Sequence, residues 1–537
     1  MDADLVFVGA SVEPMVHRST PADAVAVRGG RITAVGTTGA LRDQVGARTT
    51  VVELASETLL PGFQDAHIHP IDGGMLADRC DLHALASADA YLDAISGYAA
   101  GNPHMAWIQG GGWSLTAFPR GEPGRDMLDQ VVPNRPAILE SNDGHVAWVN
   151  SRALELAGVT RDTDDPADGR IVHDARGEPA GALLEGAIQL VHRHVPAPSH
   201  DDLLHGLRAA QAGLHRLGIT AWQDAHVDPA QLAAYREAAS AGWLTARVVA
   251  ALWWERESGL EQVDDFEEQR TWASVGRLRA DSVKLMLDGI LESRTAFMTS
   301  PYADADGRRG VPFIDPDLLR AAVIELDRRG FQAHFHAIGD AAVGLALDAV
   351  AAARRRNGPS DGRHHIAHLE VVHPADLPRF AELDVTANIQ PFWAAYDEQM
   401  QELRMPVLGP ERSGWQYPFA SLRRAGTRLA GGSDWTVTTA NPILEIEVAV
   451  NRIAPETRDV APFLPHERLT LDEAIEAFTM GSAYVNHLDA TTGTIEVGKA
   501  ADLVILDRNL RAPNGGPIGD ARVLATYIQG ECVYAAG

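Results

Sequence analysis

Cysteine is scarce in this sequence, and its scarcity excludes a disulfide-stabilised scaffold. The 537 residues include two cysteines, Cys80 and Cys532, which lie far apart and form no CxxC pair. Two isolated cysteines cannot build the disulfide framework of a small secreted domain. The cysteine content therefore favours a reducing compartment, and we expect a cytoplasmic protein.

Basic residues and long apolar runs are also few. Lysine and arginine total 46 against 73 aspartates and glutamates, which gives a formal charge of −27. A polyanionic surface repels phosphate backbones, which argues against nucleic-acid binding. No apolar run reaches the roughly 18 residues of a membrane helix, and the first residues lack the pattern of a signal peptide. We therefore expect no membrane association.

What the sequence does contain is a repeated alternation of short apolar runs and helical stretches through its middle. Hydrophobic residues make up 45% of the chain, which is typical of a globular protein with a large core. The alternation predicts a parallel sheet with crossover helices. Eight strands are predicted, at 64–69, 219–226, 246–253, 282–288, 331–337, 364–371, 385–391 and 429–434.

Eight strand–helix units predict an α/β fold of the closed (β/α)₈ TIM-barrel type, assigned to residues 61–487. An open doubly wound sheet is the alternative, but no glycine fingerprint of the dinucleotide-binding type follows the first strand. Both chain ends contain short β runs separated by glycines. We predict that residues 1–60 and 488–537 pair into one small β-sandwich domain.

The segment between the first two predicted strands is too long for a plain crossover. Residues 71–215 are therefore predicted to form an inserted subdomain. The insertion leaves the barrel at the C-terminal end of the first strand, where barrel active sites lie. We expect it to cover the site and to select the substrate.

Histidines and a carboxylate stand at or near the ends of several predicted strands. His67 and His69 are two apart on the first strand, so both side chains face the barrel interior. His336 and His368 lie near the ends of strands five and six, and Asp434 ends strand eight. Such nitrogen and oxygen ligands suit zinc and related divalent ions. The set predicts a metal site at the barrel mouth, with Asp434 as the proton acceptor.

Lys284 interrupts an otherwise apolar strand. Burial opposes the charge of a lysine, lowers its pKa and frees the amine for covalent chemistry. One such reaction is carbamylation by carbon dioxide, which gives an anion able to bridge two cations. The alternative is an interior ion pair, for example with Asp288, and the sequence leaves both open.

Further residues are predicted to contact the substrate or the transition state. His145 in the insertion, or His226 at the end of strand two, could stabilise a tetrahedral oxyanion; a packed polar histidine is the alternative for both. Aromatic residues in the loops favour a partly apolar pocket. The predicted substrate-binding residues are Trp113, His226, Asp288, Arg294 and Trp393.

Five segments together make the chain resemble the metal-dependent amidohydrolase superfamily. They are LPGFQDAHIH at 60–69, VKLMLDG at 283–289, HAIGD at 336–340, GSDW at 432–435 and GTIEVGKAADLVILD at 493–507. The insertion, with DGH at 143–145 and VNS at 149–151, is similar to the branch that contains N-substituted formamide deformylases. Glu292 and Arg294 depart from the glycine-richer pattern expected at 289–294, and we predict that they shape a different pocket.

The resemblance implies a metal-dependent hydrolase that cleaves a carbon–nitrogen, non-peptide amide bond in a small molecule. It implies two zinc ions bridged by carboxylated Lys284, the first held by His67, His69 and Asp434 and the second by His336 and His368. The same site acting on a lactone, a cyclic imide, a phosphoester or a deamination substrate is the alternative. A metal-binding protein without activity is the third possibility. The oligomeric state, monomer or homo-oligomer, stays open.

Overall fold

Eight parallel strands form one sheet in which each strand pairs with its neighbours in chain order. This computed structural model describes residues 2–16, 21–304, 307–512 and 516–537. The strand order contains no reversal, which excludes the doubly wound alternative. The predicted (β/α)₈ barrel is confirmed. Its strands are Phe63–Ile68, Ile219–Val227, Arg247–Trp253, Leu278–Met286, Gln332–Ala337, His365–His368, Thr386–Ile389 and Leu429–Gly431.

Most strand bounds agree with the predicted ones to within three residues. Strand four starts four residues earlier than predicted because Leu278 already pairs with Val248 of strand three. Strand eight ends at Gly431, and the chain then crosses back toward strand one. There the Asp434 N–H donates to the His67 carbonyl at 2.7 Å. This hydrogen bond brings the ends of the first and last strands together.

The helices that follow the strands cover the outside of the barrel. The helix before strand two shows how the sequence starts them: Ser199 and Asp202 make reciprocal capping hydrogen bonds at its N-terminus. Its buried face carries Leu203, Leu207 and Leu214, spaced for one side of a helix. The α-helices of the described residues, those of the terminal region and the insertion included, are Thr38–Leu41, Pro70–Met75, Ala88–Gly101, Arg125–Val131, Ser151–Ala157, Gln189–His192, His200–Arg216, Pro229–Ser240, Gln262–Ala273, Pro316–Arg328, Asp340–Asn357, Leu377–Glu382, Met405–Ser413, Phe419–Arg424, Pro442–Asn451, Leu471–Glu476 and Ser482–Val485.

Two further sheets contain the terminal segments. Strand Leu503–Leu506 runs antiparallel to Thr58–Pro61, so the two ends of the chain pair directly. Phe7, Leu59 and Tyr527 share one buried cluster between the sheets. That residues 1–60 and 488–537 form one separate β-sandwich domain stays a prediction. The strands are Leu5–Val8, Ala24–Arg28, Arg31–Gly36 and Thr50–Glu53 in one sheet, and Ser11–Val12, Thr58–Pro61, Leu503–Leu506, Val523–Ile528 and Glu531–Ala535 in the other.

The segment between barrel strands one and two contains a six-stranded sheet of its own. Trp113 and Trp148 are fully buried in its core, which continues into Ile290 after strand four and Leu408 after strand seven. The segment therefore packs on the loops at the C-terminal end of the barrel, and its predicted bounds, 71–215, stay a prediction. Its strands are Cys80–Asp81, Ile108–Trp113, Ala137–Ser141, Val146–Val149, Gly169–His173 and Pro179–Glu185. None of the described helices is long and apolar enough to span a membrane.

Candidate active site at the barrel mouth

Asp434 is the centre of a buried cluster at the C-terminal end of the barrel. His67 Nε2 and His69 Nε2 each lie 3.2 Å from its Oδ1, and His368 Nδ1 lies 3.8 Å from its Oδ2. One ligand atom from each of His67, His368 and Asp434 falls within 4.8 Å of the other two. Burial opposes ionisation of Asp434, but the adjacent His67 and His69 outweigh it and hold the pKa of this carboxyl well below its ordinary value.

Two of these groups are held in an unusual backbone conformation. His368 has φ of 75° and Asp434 has φ of 56°, in the left-handed region that residues with a Cβ rarely adopt. Hydrogen bonds fix both backbones, because the His368 N–H donates to Gln390 Oε1 at 2.6 Å and the Asp434 N–H donates to His67. Such strain is concentrated at functional sites. In this backbone conformation the two side chains lie close together, with 3.8 Å between His368 Nδ1 and Asp434 Oδ2.

Lys284 lies inside the barrel beside the histidines. Its Nζ is 3.3 Å from His67 Nε2. Burial lowers the pKa of Lys284 to about 7, although the Asp434 and Asp224 carboxylates oppose the shift. Asp288, the partner considered from the sequence, instead accepts the backbone N–H groups of Phe297, Ile338 and Gly339. A substantial fraction of the Lys284 amine is therefore neutral, and so reactive, near pH 7.

His336 lies against His368 with 4.3 Å between ring centroids. Burial lowers the pKa of both imidazoles well below the ordinary value, so both are neutral. His336 Nε2 and His368 Nδ1 are buried and have no hydrogen-bond partner among the described residues. Buried polar atoms are normally paired. Neutral imidazole nitrogens beside an ionised carboxylate form a donor set that fits a divalent metal ion.

A chain of buried polar side chains supports His67 from below. His334 Nε2 lies 2.8 Å from His67 Nδ1, and His365 packs on His334 with 4.0 Å between ring centroids. His365 Nε2 in turn lies 3.0 Å from Gln223 Oε1. A hydrogen bond to the second ring nitrogen fixes the orientation and tautomer of a metal-binding histidine. The sequence signalled His334 through the repeated HxH pattern of strand five, but not its contact with His67.

Asp65 joins the first and last strands beneath the cluster. Its Oδ1 accepts the His67 N–H at 2.9 Å, and both of its oxygens lie within 3.2 Å of the Ser433 N. Burial raises the pKa of Asp65 to about 7. The carboxylate thereby fixes the backbone on either side of the site.

The insertion contributes His145 to the same region. The His145 ring lies 5.8 Å from the His336 ring, and its Nδ1 is 2.8 Å from Glu185 Oε2. Burial opposes protonation of His145, but the Glu185 carboxylate outweighs it and raises the pKa of His145 to about 9. Glu185 was not identified from the sequence, because the contact joins two strands of the insertion 40 residues apart.

The other predicted contact residues lie at different distances from the cluster. The Trp393 ring stacks on His368 at 5.7 Å, and the His226 ring packs on Trp253 at 4.4 Å. Burial lowers the pKa of His226 to about 4. Arg294 pairs with Asp304 and lines a cavity of about 180 Å³ between the insertion and the barrel loops.

Two of the predicted substrate contacts are engaged elsewhere. Trp113 lies in the core of the insertion, where its Nε1–H donates to the Leu139 carbonyl at 2.8 Å. The Asp288 carboxylate is surrounded by backbone N–H groups, although its Oδ1 lies 3.8 Å from His336 Nε2. Neither position supports a direct contact with substrate.

Comparison with known proteins gives consistent results over nearly the whole chain. The protein LONG AFTER FAR-RED 3 of Arabidopsis thaliana is 30% identical across 99% of this chain and 92% of its own length. N-substituted formamide deformylase of Arthrobacter pascens is 27% identical across 99% of this chain and 98% of its own. An uncharacterized metal-dependent hydrolase from Pyrococcus furiosus, solved by crystallography, is 26% identical with a TM-score of 0.72, covering 94% of this chain and 99% of that one.

The family resemblance inferred from the motifs is confirmed, including its similarity to N-substituted formamide deformylases. The family described as "Amidohydrolase family" matches residues 50–534, so the match takes in the barrel, the insertion and the terminal strands after residue 49. The chain belongs to the amidohydrolase family and is an enzyme of that family.

Proposed function

We propose that the protein is a metal-dependent hydrolase that cleaves a non-peptide amide carbon–nitrogen bond in a small molecule, an N-substituted formamide or N-acyl amine. The observation that carries the proposal is the convergence of His67, His69 and His368 on Asp434 at the barrel mouth. The relative that is an N-substituted formamide deformylase supports the choice of bond. The proposal includes a cytoplasmic enzyme that binds neither nucleic acid nor membrane, and the formal charge of −27 supports the absence of nucleic-acid binding.

The residues of the cluster fit a divalent metal ion, and we propose two zinc ions. His67, His69 and Asp434 would hold one ion, His336 and His368 the other, and carboxylated Lys284 would lie between them. When bound, such ions acidify water and polarise a carbonyl oxygen. The neutral state of His336 and His368 and the ionised state of Asp434 are the protonation states that metal binding needs.

Asp434 is the group that moves the proton. Its carboxylate accepts a proton from the attacking water and transfers it to the nitrogen of the leaving amine. The Asp434 N–H donates to the His67 carbonyl, so the backbone of Asp434 is held independently of the substrate. The low pKa of Asp434 keeps it ionised at neutral pH.

His145 stabilises the oxyanion of the tetrahedral intermediate. Because Glu185 accepts the hydrogen bond from Nδ1, the His145 Nε2 side of the ring is left to interact with substrate. Protonated His145 donates from this nitrogen to the developing negative charge. Trp393 and the neutral His226 ring form aromatic walls for the N-substituent, and Arg294 acts at the outer cavity.

The test is turnover of N-formyl and N-acyl amines by the zinc-loaded enzyme, with separate assays for formate or carboxylate, amine and ammonia. We expect equimolar acid and amine, and a kcat at least about a hundredfold lower in Asp434→Asn. Asp348→Asn, at an exposed carboxylate paired with Arg379, is the control and keeps full activity. Ammonia release without acid would indicate deamination, and hydrolysis of lactones or phosphoesters alone would indicate a different bond.

A further inference from the structure

A buried polar cluster lies between the insertion and the barrel, centred on Arg404 after strand seven. Arg404 Nε donates to the Glu292 carboxylate, and Nη1 donates to the Tyr417 hydroxyl at 2.9 Å. Nη2 lies 3.8 Å from Glu370 Oε1. Glu292 is 6% exposed and Glu370 is 1% exposed. The Arg404 guanidinium is therefore shared between the buried carboxyl groups of Glu292 and Glu370.

The hydrogen bonds to Glu292 all fall on one oxygen. Arg404 and Gln399 both donate to Oε1, and Oε2 accepts none from the described residues. Neither oxygen of Glu370 accepts a hydrogen bond of normal geometry from that part of the chain, although the Tyr417 hydroxyl lies near this carboxyl group. An ionised carboxylate only accepts hydrogen bonds, and leaving a buried acceptor unpaired is destabilising. The cluster therefore needs additional donors.

The cluster is adjacent to the candidate active site. The Arg404 guanidinium lies over the Trp393 ring, 5.4 Å from its centroid, and Trp393 also stacks on His368. Glu292 also lines the cavity between the insertion and the barrel loops. Trp393 and Arg404 therefore form a chain of contacts from His368 to Glu292 and Glu370.

Four arginines also line this cavity, and each of them already interacts with another group of the protein. Arg120 and Arg170 both pair with Glu122, and Arg294 pairs with Asp304. The fourth arginine, Arg308, is engaged as well. Glu292 Oε2 is the buried oxygen of this wall that accepts no hydrogen bond from the described residues. Glu292 is also, with Arg294, one of the two residues at which the chain departs from the glycine-richer pattern.

We propose that Glu292 and Glu370 form a binding site for a primary ammonium group on the N-substituent of the substrate. The site rests on the proposed function, because that function places the scissile amide at the barrel mouth. An ammonium group has three N–H donors, two of which match Glu292 Oε2 and a Glu370 oxygen. Burial raises the pKa of Glu370 to about 7, and the positive charge of a bound ammonium group would favour the ionised form of this carboxyl. The substrate class is then a mono-acylated diamine.

Turnover of matched substrates tests this site in the unmodified enzyme. Monoformyl derivatives of ethylenediamine, putrescine and cadaverine are compared with N-formyl alkylamines in which a methyl group replaces the ammonium. We expect the best diamine derivative to have a kcat/KM at least about tenfold above its neutral counterpart, because a buried polar site rejects an analogue that cannot pair with it. Equal or better turnover of every neutral compound would overturn the proposal.

Binding gives a second readout that does not need turnover. Calorimetry compares pentylamine with pentanol on the wild-type protein, Glu292→Gln, Glu370→Gln and Glu447→Gln. Glu447 is a buried carboxylate paired with Arg458, remote from the cluster, and is the matched control. We expect the wild type and the control to prefer the amine, and the cluster variants to lose that preference.

The two readouts separate the two proposals. If no formamide is hydrolysed but pentylamine binds in a Glu292-dependent way, the proposed function fails and the ammonium site stands. If formamides are hydrolysed without preference for a cation and pentylamine binds no better than pentanol, the ammonium site is refuted alone. Because the wild-type comparison uses no variant, misfolding of Glu292→Gln would not prevent a decision.

Discussion

Glu185 Oε2 lies 2.8 Å from His145 Nδ1, so an acidic side chain of the insertion lies next to the histidine that the insertion places near the barrel site. The other carboxylate oxygen accepts the Thr295 hydroxyl at 2.5 Å, so Glu185 also bonds to the loop after strand four. Gly289 makes this approach possible, because a Cβ at that position would lie 2.2 Å from Glu185 Oε1. Glu185 itself has φ of 52°, outside the usual range for a residue with a Cβ.

The first prediction concerns the pH dependence that this pair imposes. The pKa of His145 is raised to about 9, so its positive charge is present at neutral pH and is lost as the pH rises through that value. We expect the wild-type rate to fall on the alkaline side near pH 9, and Glu185→Gln to shift this fall to lower pH and reduce kcat about 10- to 100-fold. The measurement is kcat against pH; an unshifted alkaline limb would contradict the role of Glu185.

The second prediction concerns Lys284. The chain has two lysines, Lys284 and Lys499, which makes a carbamate easy to assign. With labelled carbon dioxide and zinc, we expect one carbamate carbon signal by NMR and about two zinc ions per chain by elemental analysis, both reduced in Lys284→Ala. Lys499→Arg is the control, because the Lys499 Nζ donates to the Thr492 carbonyl in the terminal region. If the Lys284→Ala variant binds as much zinc as the wild type, the lysine does not bridge metal ions and its role is structural.

The third prediction concerns the histidine beneath the site. His334 Nε2 lies 2.8 Å from His67 Nδ1, so His334→Phe removes the group that orients His67 while filling the same space. We expect zinc affinity to fall about 10- to 100-fold, measured by competition with a chelator. His215→Phe is the control, because His215 is a buried histidine that bonds to Ile219 and Thr245 away from the cluster. Equal losses in both variants would indicate a general effect on stability.

The fourth prediction concerns stability rather than catalysis. Burial opposes ionisation of Asp327, but hydrogen bonds from His364, Ser360 and Asn357 outweigh it and hold its pKa well below the ordinary value. A lowered folded-state pKa stabilises the protein above the unfolded pKa, and the contribution is lost as the pH falls. We expect Asp327→Asn to lower the free energy of unfolding by about 2 kcal/mol at pH 7 and by less at acidic pH.

Denaturant unfolding at several pH values checks this fourth prediction. Asp348→Asn removes an exposed carboxylate from a single arginine pair and serves as the control, with little expected change. A loss of stability in Asp327→Asn that does not depend on pH would mean that the ionised carboxylate is not the source.

The sequence predicted the barrel and the residues of the cluster because both depend on local patterns. Alternation of apolar runs with helical stretches identified eight strands, and strand periodicity placed His67 and His69 on one face. A parallel barrel brings the C-terminal ends of its strands to one rim, so residues as distant as His67 and Asp434 could be predicted to meet.

The contacts that surround the cluster could not be predicted in this way. Arg404 bonds to Glu292 across 112 residues and His334 contacts His67 across 267, and no local periodicity encodes such pairs. The sequence also predicted one contact that the structure does not support. Trp113 was expected to line the substrate pocket, but it is buried in the interior of the insertion.

By itself, then, the sequence determined the class of fold, the end of the barrel that carries the site and the side chains that converge there. The reason is that strand and helix periods are properties of neighbouring residues. Only the tertiary structure decided which buried charges pair and which stay unpaired, such as the free oxygen of Glu292. Those pairings depend on how the insertion packs on the loops after strands four and seven, which is a long-range outcome of packing and desolvation.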